Sequence, residues 1–325
     1  MATIDKEFAE LCAKILKEGK EYENKNRGVK RLQIPSYNFR HEFKDGFPAL
    51  TGKKLYWRSV VGELLWFLRG DTDIKYLNDN GIKIWNKDAY NWYAKHNSNN
   101  DPVTEAYEHL YHENEDGSYR MFTFEEFEKI GTGDVGRNYS AQWRDYNYQV
   151  DQIEELIKGM KEDIMSSRLI VTAWNPSELN KTALPSCHNF FQVIGVPLEN
   201  DKFGFELHFN MRSWDVFLGA PFNIASYGLL AKILEDITGY EALAIEASAK
   251  CVHFYDNQYE AAKELLTRDV DKHPNCELKI TNFSSWVADD IDLAINLYQI
   301  SDFELVGYTC DEAIKVEMLA PKKLD

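Results

Sequence analysis

Three runs rich in β-branched and aromatic residues, Leu169–Trp174, Phe190–Val196 and Phe203–Met211, follow one another through the middle of the chain. Such residues suit a pleated, half-buried surface, so the runs read as strands. A helical stretch, Pro221–Ile237, comes only after the third run, and Leu243–Tyr255 then mixes strand with turn. Strands and helices do not alternate as a doubly wound sheet demands, which favours an α+β fold in a single domain. Ile4–Lys17 carries an apolar stripe at helical spacing (Phe8, Leu11, Cys12, Ile15), Leu32–Phe39 reads as a strand, and Val150–Met160 as an amphipathic helix. Ser59–Leu68, SVVGELLWFL, is an almost wholly apolar helix stopped at Gly70. Toward the end the pattern gives a helix near Asp289–Leu297 and strands at Phe303–Tyr308 and Ala313–Met318. The polar strings HNSNNDP and HENEDGSY mark Tyr93–Gly133 as an insertion or long surface excursion. No internal repeat or linker divides the 325 residues.

Charge narrows the partners. Lys plus Arg is 37 against 53 for Asp plus Glu, a formal charge of −16, and a field of that sign repels nucleic acid and anionic lipid. Aromatics at 14% suit stacking surfaces for planar ligands. Five scattered cysteines with no CxxC pair and no histidine at finger spacing indicate neither a disulfide framework nor a zinc site, so no metal is expected. The first residues lack an apolar core of signal-peptide type, and no run of 18 apolar residues exists. The expectation is a reduced, cytoplasmic protein away from membranes.

Four constellations are candidates for chemistry. In Pro185-Ser186-Cys187-His188 a thiol sits beside an imidazole after a bend, which suits a nucleophile and equally a small core cysteine. Glu63, among Val60, Leu64, Trp66 and Phe67, is either a carboxylate desolvated into the range of proton transfer or one on the helix's wet stripe. Arg212 and Ser213 end an apolar strand and invite an oxyanion, while Asn223 offers a donor and an acceptor that can read an imide edge; a surface pair of Arg212 with Asp215 is the plain alternative. His253 and Tyr255 alternate on a strand and face the same side, where they clamp a sugar hydroxyl or serve as satisfied core polars.

These residues stand inside longer strings. LTGKKLYWRSVVGELLWFLRGDTDIKYL with IWN, NYSAQWR, RLIVTAWNPSELNKTALPSCHNFFQ, RSWDVFLGAPFNIASYGLLAKIL and VHFYDNQYE follow in this order between about Asn26 and Met318. In them the chain resembles the thymidylate synthases and their nucleotide hydroxymethylase relatives. The resemblance implies a mixed β-sheet packed with helices and a homodimer joined sheet to sheet. It implies that Cys187 attacks C6 of dUMP and that C5 then takes a one-carbon unit from the co-substrate 5,10-methylenetetrahydrofolate. It further implies that Asn223 reads the N3–H and O4 edge and that Arg27, Arg212 and Ser213 hold the phosphate. Arg168 would reach the phosphate of the other subunit, and His253 and Tyr255 would bind the ribose. Glu63, His188 and Tyr139 would move protons, and Trp85 and Asp215 would line the folate site.

The chain also departs from that family. Ser167-Arg168 stands for two arginines, Met211 for a glutamine, Asn86 for an aspartate, Asp88 for a second tryptophan, and Arg137-Asn138 for a proline and an aliphatic residue. Cys251 replaces an aspartate, Cys310-Asp311-Glu312-Ala313 replaces Pro-His-Pro, and the tail 319–325 runs past the usual end. These differences bear on whether hydride completes a methyl group, giving dTMP, or water adds to give 5-hydroxymethyl-dUMP. Exclusion of water separates the two. The expectation is the synthase, with the dUMP hydroxymethylase as the alternative; Asn223 argues against a dCMP-specific relative.

Overall fold

The computed structural model describes residues 4–24, 28–97, 111–113, 119–281 and 290–317. Its strands are β1 (Lys20–Asn24), β2 (Val29–Glu42), β3 (Tyr111–Glu113), β4 (Tyr119–Met121), β5 (Ile170–Thr172), β6 (His188–Pro197), β7 (Phe203–Met211), β8 (Trp214–Asp215), β9 (Glu241–Tyr255), β10 (Glu277–Ile280) and β11 (Phe303–Val306). Its helices are α1 (Ile4–Glu18), α2 (Trp57–Leu68), α3 (Lys75–Asp79), α4 (Asn86–Asn97), α5 (Phe124–Ile130), α6 (Tyr139–Arg144), α7 (Gln152–Glu162), α8 (Gly219–Thr238), α9 (Tyr259–Leu265) and α10 (Ile291–Leu297).

The three β-rich runs are the heart of a mixed sheet. Its order is β1-β2-β9-β7-β6-β5, with β8 beside β9. β5, β6 and β7 are successive antiparallel neighbours, β6 and β7 joined by a short turn and β5 and β6 by the longer segment that carries Cys187. β7 and β9 are parallel, which requires a crossover, and α8 supplies it. The fold is therefore α+β with a mixed sheet, as expected. Along β7, Phe205, Leu207, Phe209 and Met211 are buried while Glu206, His208 and Asn210 are half-buried, the period-two pattern of a sheet with one core face.

The core face carries α8, which is apolar nearly all round because it lies between the sheet and α2 and α7. Gly228 allows that packing: a Cβ there would lie 2.5 Å from Pro48 Cγ. Gly239, in the left-handed conformation at φ 77°, ends α8 and turns the chain into β9. On the opposite face, Asn38 and Arg40 of β2, Gln192 and Ile194 of β6, and Glu246 and Ser248 of β9 remain exposed or half-buried. Arg40 there makes a bidentate contact with Glu206 (2.6 and 2.7 Å) and lies 3.5 Å from Glu246.

Three expectations need correction. The segment from Tyr93 is not a surface excursion throughout: Tyr93 ends up in α4 with no exposure, stacked on the buried Phe127 of α5 at 5.4 Å. Ala313–Glu317 forms no strand, because its anchors are Asp311 N–H to Thr51 O and the Asn257 side chain to Glu317 O rather than a ladder. β9 is one continuous strand rather than strand with turn, carrying Cys251 at φ 47°. Arg27 and the tail 319–325 lie outside the described residues.

Candidate active site

The start of β6, the end of β7 and the N-terminus of α6 converge on Cys187. Several polar backbone groups of its loop are engaged by named neighbours. Cys187 N–H donates to the Tyr139 hydroxyl (2.7 Å), and Cys187 O accepts from Arg212 N–H (2.9 Å). Ser186 Oγ donates to Ala173 O at 3.1 Å. Arg212 donates from Nε to Ser186 O and from Nη2 to Pro185 O, both at 2.7 Å, and its Nη2 lies 4.0 Å from Cys187 Sγ. The guanidinium thus braces the loop, and its charge sits where negative charge develops on an attacking sulfur. Arg212 does not pair with Asp215: Asp215 accepts from Leu218 N–H and from the Gln258 amide instead.

His188 is adjacent in sequence but belongs to a different layer. Its ring stacks on Tyr139 (3.8 Å between centroids, 5° between planes), and Nδ1 lies 2.9 Å from the Tyr227 hydroxyl. Burial drives His188 down to about 3, so it is neutral at physiological pH. A neutral, sandwiched imidazole is a poor base for a neighbouring thiol, and the thiol–imidazole pair that the dipeptide invited is not built here. Burial raises Tyr139 and Tyr227 well above the ordinary phenol range, so both stay protonated and can donate.

Glu63 faces this cluster from α2. Burial pushes its carboxyl up to about 7, partly opposed by the Trp85 indole N–H, which donates to Oε1 at 2.7 Å. Its partner Trp85 belongs to an aromatic cluster with Phe67 and Tyr139, the Tyr139 ring lying 4.9 Å from Phe67 and 6.3 Å from Trp85. A carboxyl that titrates near neutrality among apolar rings can both give and take a proton. Trp85 is accordingly tied to Glu63 in addition to any contact with a folate.

Asn223 lies in α8, its Oδ1 accepting from the Trp214 indole at 3.2 Å. Ser213 is half-buried beside Arg212. His253 donates from Nδ1 to Cys251 O (2.7 Å), and the His253 and Tyr255 rings meet edge to face at 4.8 Å, so the two do share a side. Arg168 is exposed before β5, away from these residues.

A cavity of about 440 Å³ adjoins the site, lined by Lys53, Lys54, Leu55, Tyr56, Leu218, Pro221, Phe222 and the segment Ala313–Glu317. The Lys53 ammonium donates to Phe217 O and lies 3.9 Å from the Phe217 ring centroid; burial lowers it to about 8, opposed by Asp215. Sequence reasoning passed over both lysines. The doublet before an apolar helix was the available signal.

The model of the thymidylate synthase family matches residues 6–320. Curated relatives named thymidylate synthase include that of Mycoplasma genitalium, 37% identical over 303 residues, covering 93% of this chain and 96% of its own. Those of Mesoplasma florum and Mycoplasma pneumoniae are 35% and 34% identical, each covering 96% of this chain and 99% of their own. The chain belongs to the thymidylate synthase family.

Within that family frame, several departures have local physical explanations. Asn138 is fully buried and caps α6, its side chain accepting from Ser140 N–H at 3.2 Å, which sets the turn presenting Tyr139. Arg137 pairs with Glu178 at 2.7 Å and with Asp145 at 3.0 Å, joining α6 to the chain that leads into the Cys187 loop. Met211 is a buried core residue of β7. Among the described residues no cluster of histidine, cysteine and carboxylate side chains suits a metal ion, and no helix is long and apolar enough to cross a membrane.

Proposed function

We propose that this chain is a single catalytic domain converting dUMP to dTMP in the cytoplasm, with 5,10-methylenetetrahydrofolate as one-carbon and hydride donor. The carrying observation is the Cys187 loop, braced by Arg212 and Tyr139 within a site that also contains a carboxyl raised to about 7. Cys187 sulfur adds to C6 of the uracil ring, and the electron pair of the C5–C6 bond makes C5 a carbon nucleophile. C5 bonds to the methylene carbon of the co-substrate. Loss of the C5 proton and departure of the folate leave an exocyclic methylene, hydride from the folate completes the methyl group, and the C6–S bond breaks as the thiolate leaves. Glu63 holds and passes protons through water, with Tyr139 and His188 forming the neutral hydrogen-bonded wall beside it.

Arg212 and Ser213, together with Arg27, carry the phosphate, and His253 and Tyr255 hold the ribose hydroxyl. Asn223 reads the base. The largely apolar cavity, with Lys53, Lys54 and Lys315 against a single carboxylate at Glu317, suits a planar ring carrying an anionic tail, so the folate lies there against Asp215 and Trp85. The protein works as a homodimer through the open sheet face, with Arg168 of the partner subunit completing the phosphate site. Its support is the half-buried residues exposed across β2, β7, β6 and β9.

The test is tritium release from [5-³H]dUMP in the presence of methylenetetrahydrofolate. Wild type releases tritium and Cys187→Ser does not. Absence of release from wild type would overturn the reading.

A further inference from the structure

An asparagine that reads the edge of a pyrimidine carries an ambiguity. Its carboxamide offers an acceptor and a donor side by side. Uracil presents N3–H and O4, a donor and then an acceptor; cytosine presents N3 and N4–H2, the reverse. A half-turn of the carboxamide exchanges its two ends, so an unrestrained asparagine pairs with either base. Selection requires a neighbour that fixes the rotation.

Trp214 is such a neighbour. It is fully buried, and its Nε1 lies 3.2 Å from Asn223 Oδ1. An indole N–H can only donate, so the atom facing it must be the carboxamide oxygen. A half-turn would set the Asn223 amide nitrogen against the indole N–H, two buried donors with no acceptor between them. The indole is not free to withdraw. Its backbone pairs with Val252 of β9, and the following residue, Asp215, is held by Gln258 and by Leu218 N–H. In the fixed orientation the oxygen keeps a second lone pair for N3–H, and the NH2 group remains for O4.

We infer that Trp214 is the positioning residue for base selection: its indole N–H locks Asn223 in the orientation that accepts a 2′-deoxyuridine nucleotide and refuses the cytosine counterpart. The inference rests on the reading of Asn223 as the base-contacting residue.

Two variants test it, Trp214→Phe and replacement of Trp214 by β-(3-benzothienyl)alanine. The second keeps the bicyclic shape with sulfur in place of N–H, so it separates the hydrogen bond from packing. Dissociation constants for dUMP and dCMP are measured by calorimetry on the intact protein. Loss of the indole N–H should lower the dCMP-to-dUMP ratio of dissociation constants by about tenfold, the worth of one unmet buried donor. The dUMP constant itself should move less than about threefold. A purely structural role weakens both nucleotides together, so an unchanged ratio in the benzothienyl protein overturns the inference. If wild type fails to prefer dUMP over dCMP, the base-reading role of Asn223 falls before any variant is made, and the inference with it.

Discussion

Glu63 is a residue whose chemistry its neighbours set. Its folded carboxyl titrates near 7 against an ordinary 4.5 because burial penalises the charge more than the Trp85 N–H relieves it. The folded chain therefore holds this proton longer than the unfolded chain, and stability falls as pH rises from about 4.5 to about 7. Glu63→Gln should melt higher than wild type at pH 8, by at most about 3 kcal/mol at 1.36 kcal/mol per pKa unit. The two should converge below pH 4, which thermal melts across pH will check. The same substitution should lower kcat by about 10²–10⁴ and remove an inflection near pH 7 from the rate profile. Arg212→Ala should raise the dUMP KM by about 10- to 150-fold, a charge-assisted contact of about 1.5–3 kcal/mol, and lower kcat as the Cys187 loop loses its brace. An unchanged KM in steady-state kinetics would remove the phosphate role.

The desolvation of Glu63 was legible in the sequence, since a carboxylate inside SVVGELLWFL has few wet directions. The partners of His188 were not. Tyr139 and Tyr227 lie 49 and 39 residues away along the chain, and only the fold brings them to its ring. Trp214 escaped notice for the same reason, its hydrogen bond depending on how β8 meets α8.

At the scale of elements, long periodic segments were readable and short or polar ones were not. The expectation for Phe203–Met211 coincides with β7, and Pro221–Ile237 falls two residues short of α8 at the start and one at the end. β1, KEYEN, has no apolar pattern; it is a strand because its backbone pairs with β2, from Lys20 with Gln33 to Asn24 with Val29. Ala313–Glu317 alternates like a strand yet lines the cavity without a ladder, held by the backbone contact of Asp311 and the Asn257 side chain. One tether ties an element to the cavity proposed to take the folate. Asp5 of α1 accepts from Thr51 N–H, the Thr51 hydroxyl and Gly52 N–H at 2.7–3.1 Å, fixing the turn that precedes Lys53. Asp5→Ala strands those donors and should cost about 1–3 kcal/mol of stability. It should also raise the folate KM several-fold while leaving the dUMP KM within about twofold. A folate KM that does not move in paired kinetic assays would separate the tether from the cavity.

For the whole molecule, a charge of −16 must be reconciled with two anionic substrates. The cations placed to do this are Arg212, near the sulfur, and Lys53, Lys54 and Lys315 in the cavity. Because Arg168 is exposed, nucleotide affinity should weaken as salt rises from 0.05 to 0.3 M, on the scale of a Debye length of about 10 Å at 0.1 M. The open sheet face, with Arg40 bound to Glu206 and Glu246, should seat a second copy, so light scattering should give about twice 37.8 kDa. Arg40→Glu places like charges together there and should shift that mass toward the monomer and lower activity with it. Completion of a methyl group on C5 of dUMP at this site is tested most directly by the nucleotide product. Mass analysis after turnover with methylenetetrahydrofolate should show a gain of one methylene, with dihydrofolate absorbance rising in step. A product carrying an added oxygen as well, without dihydrofolate, would contradict the account.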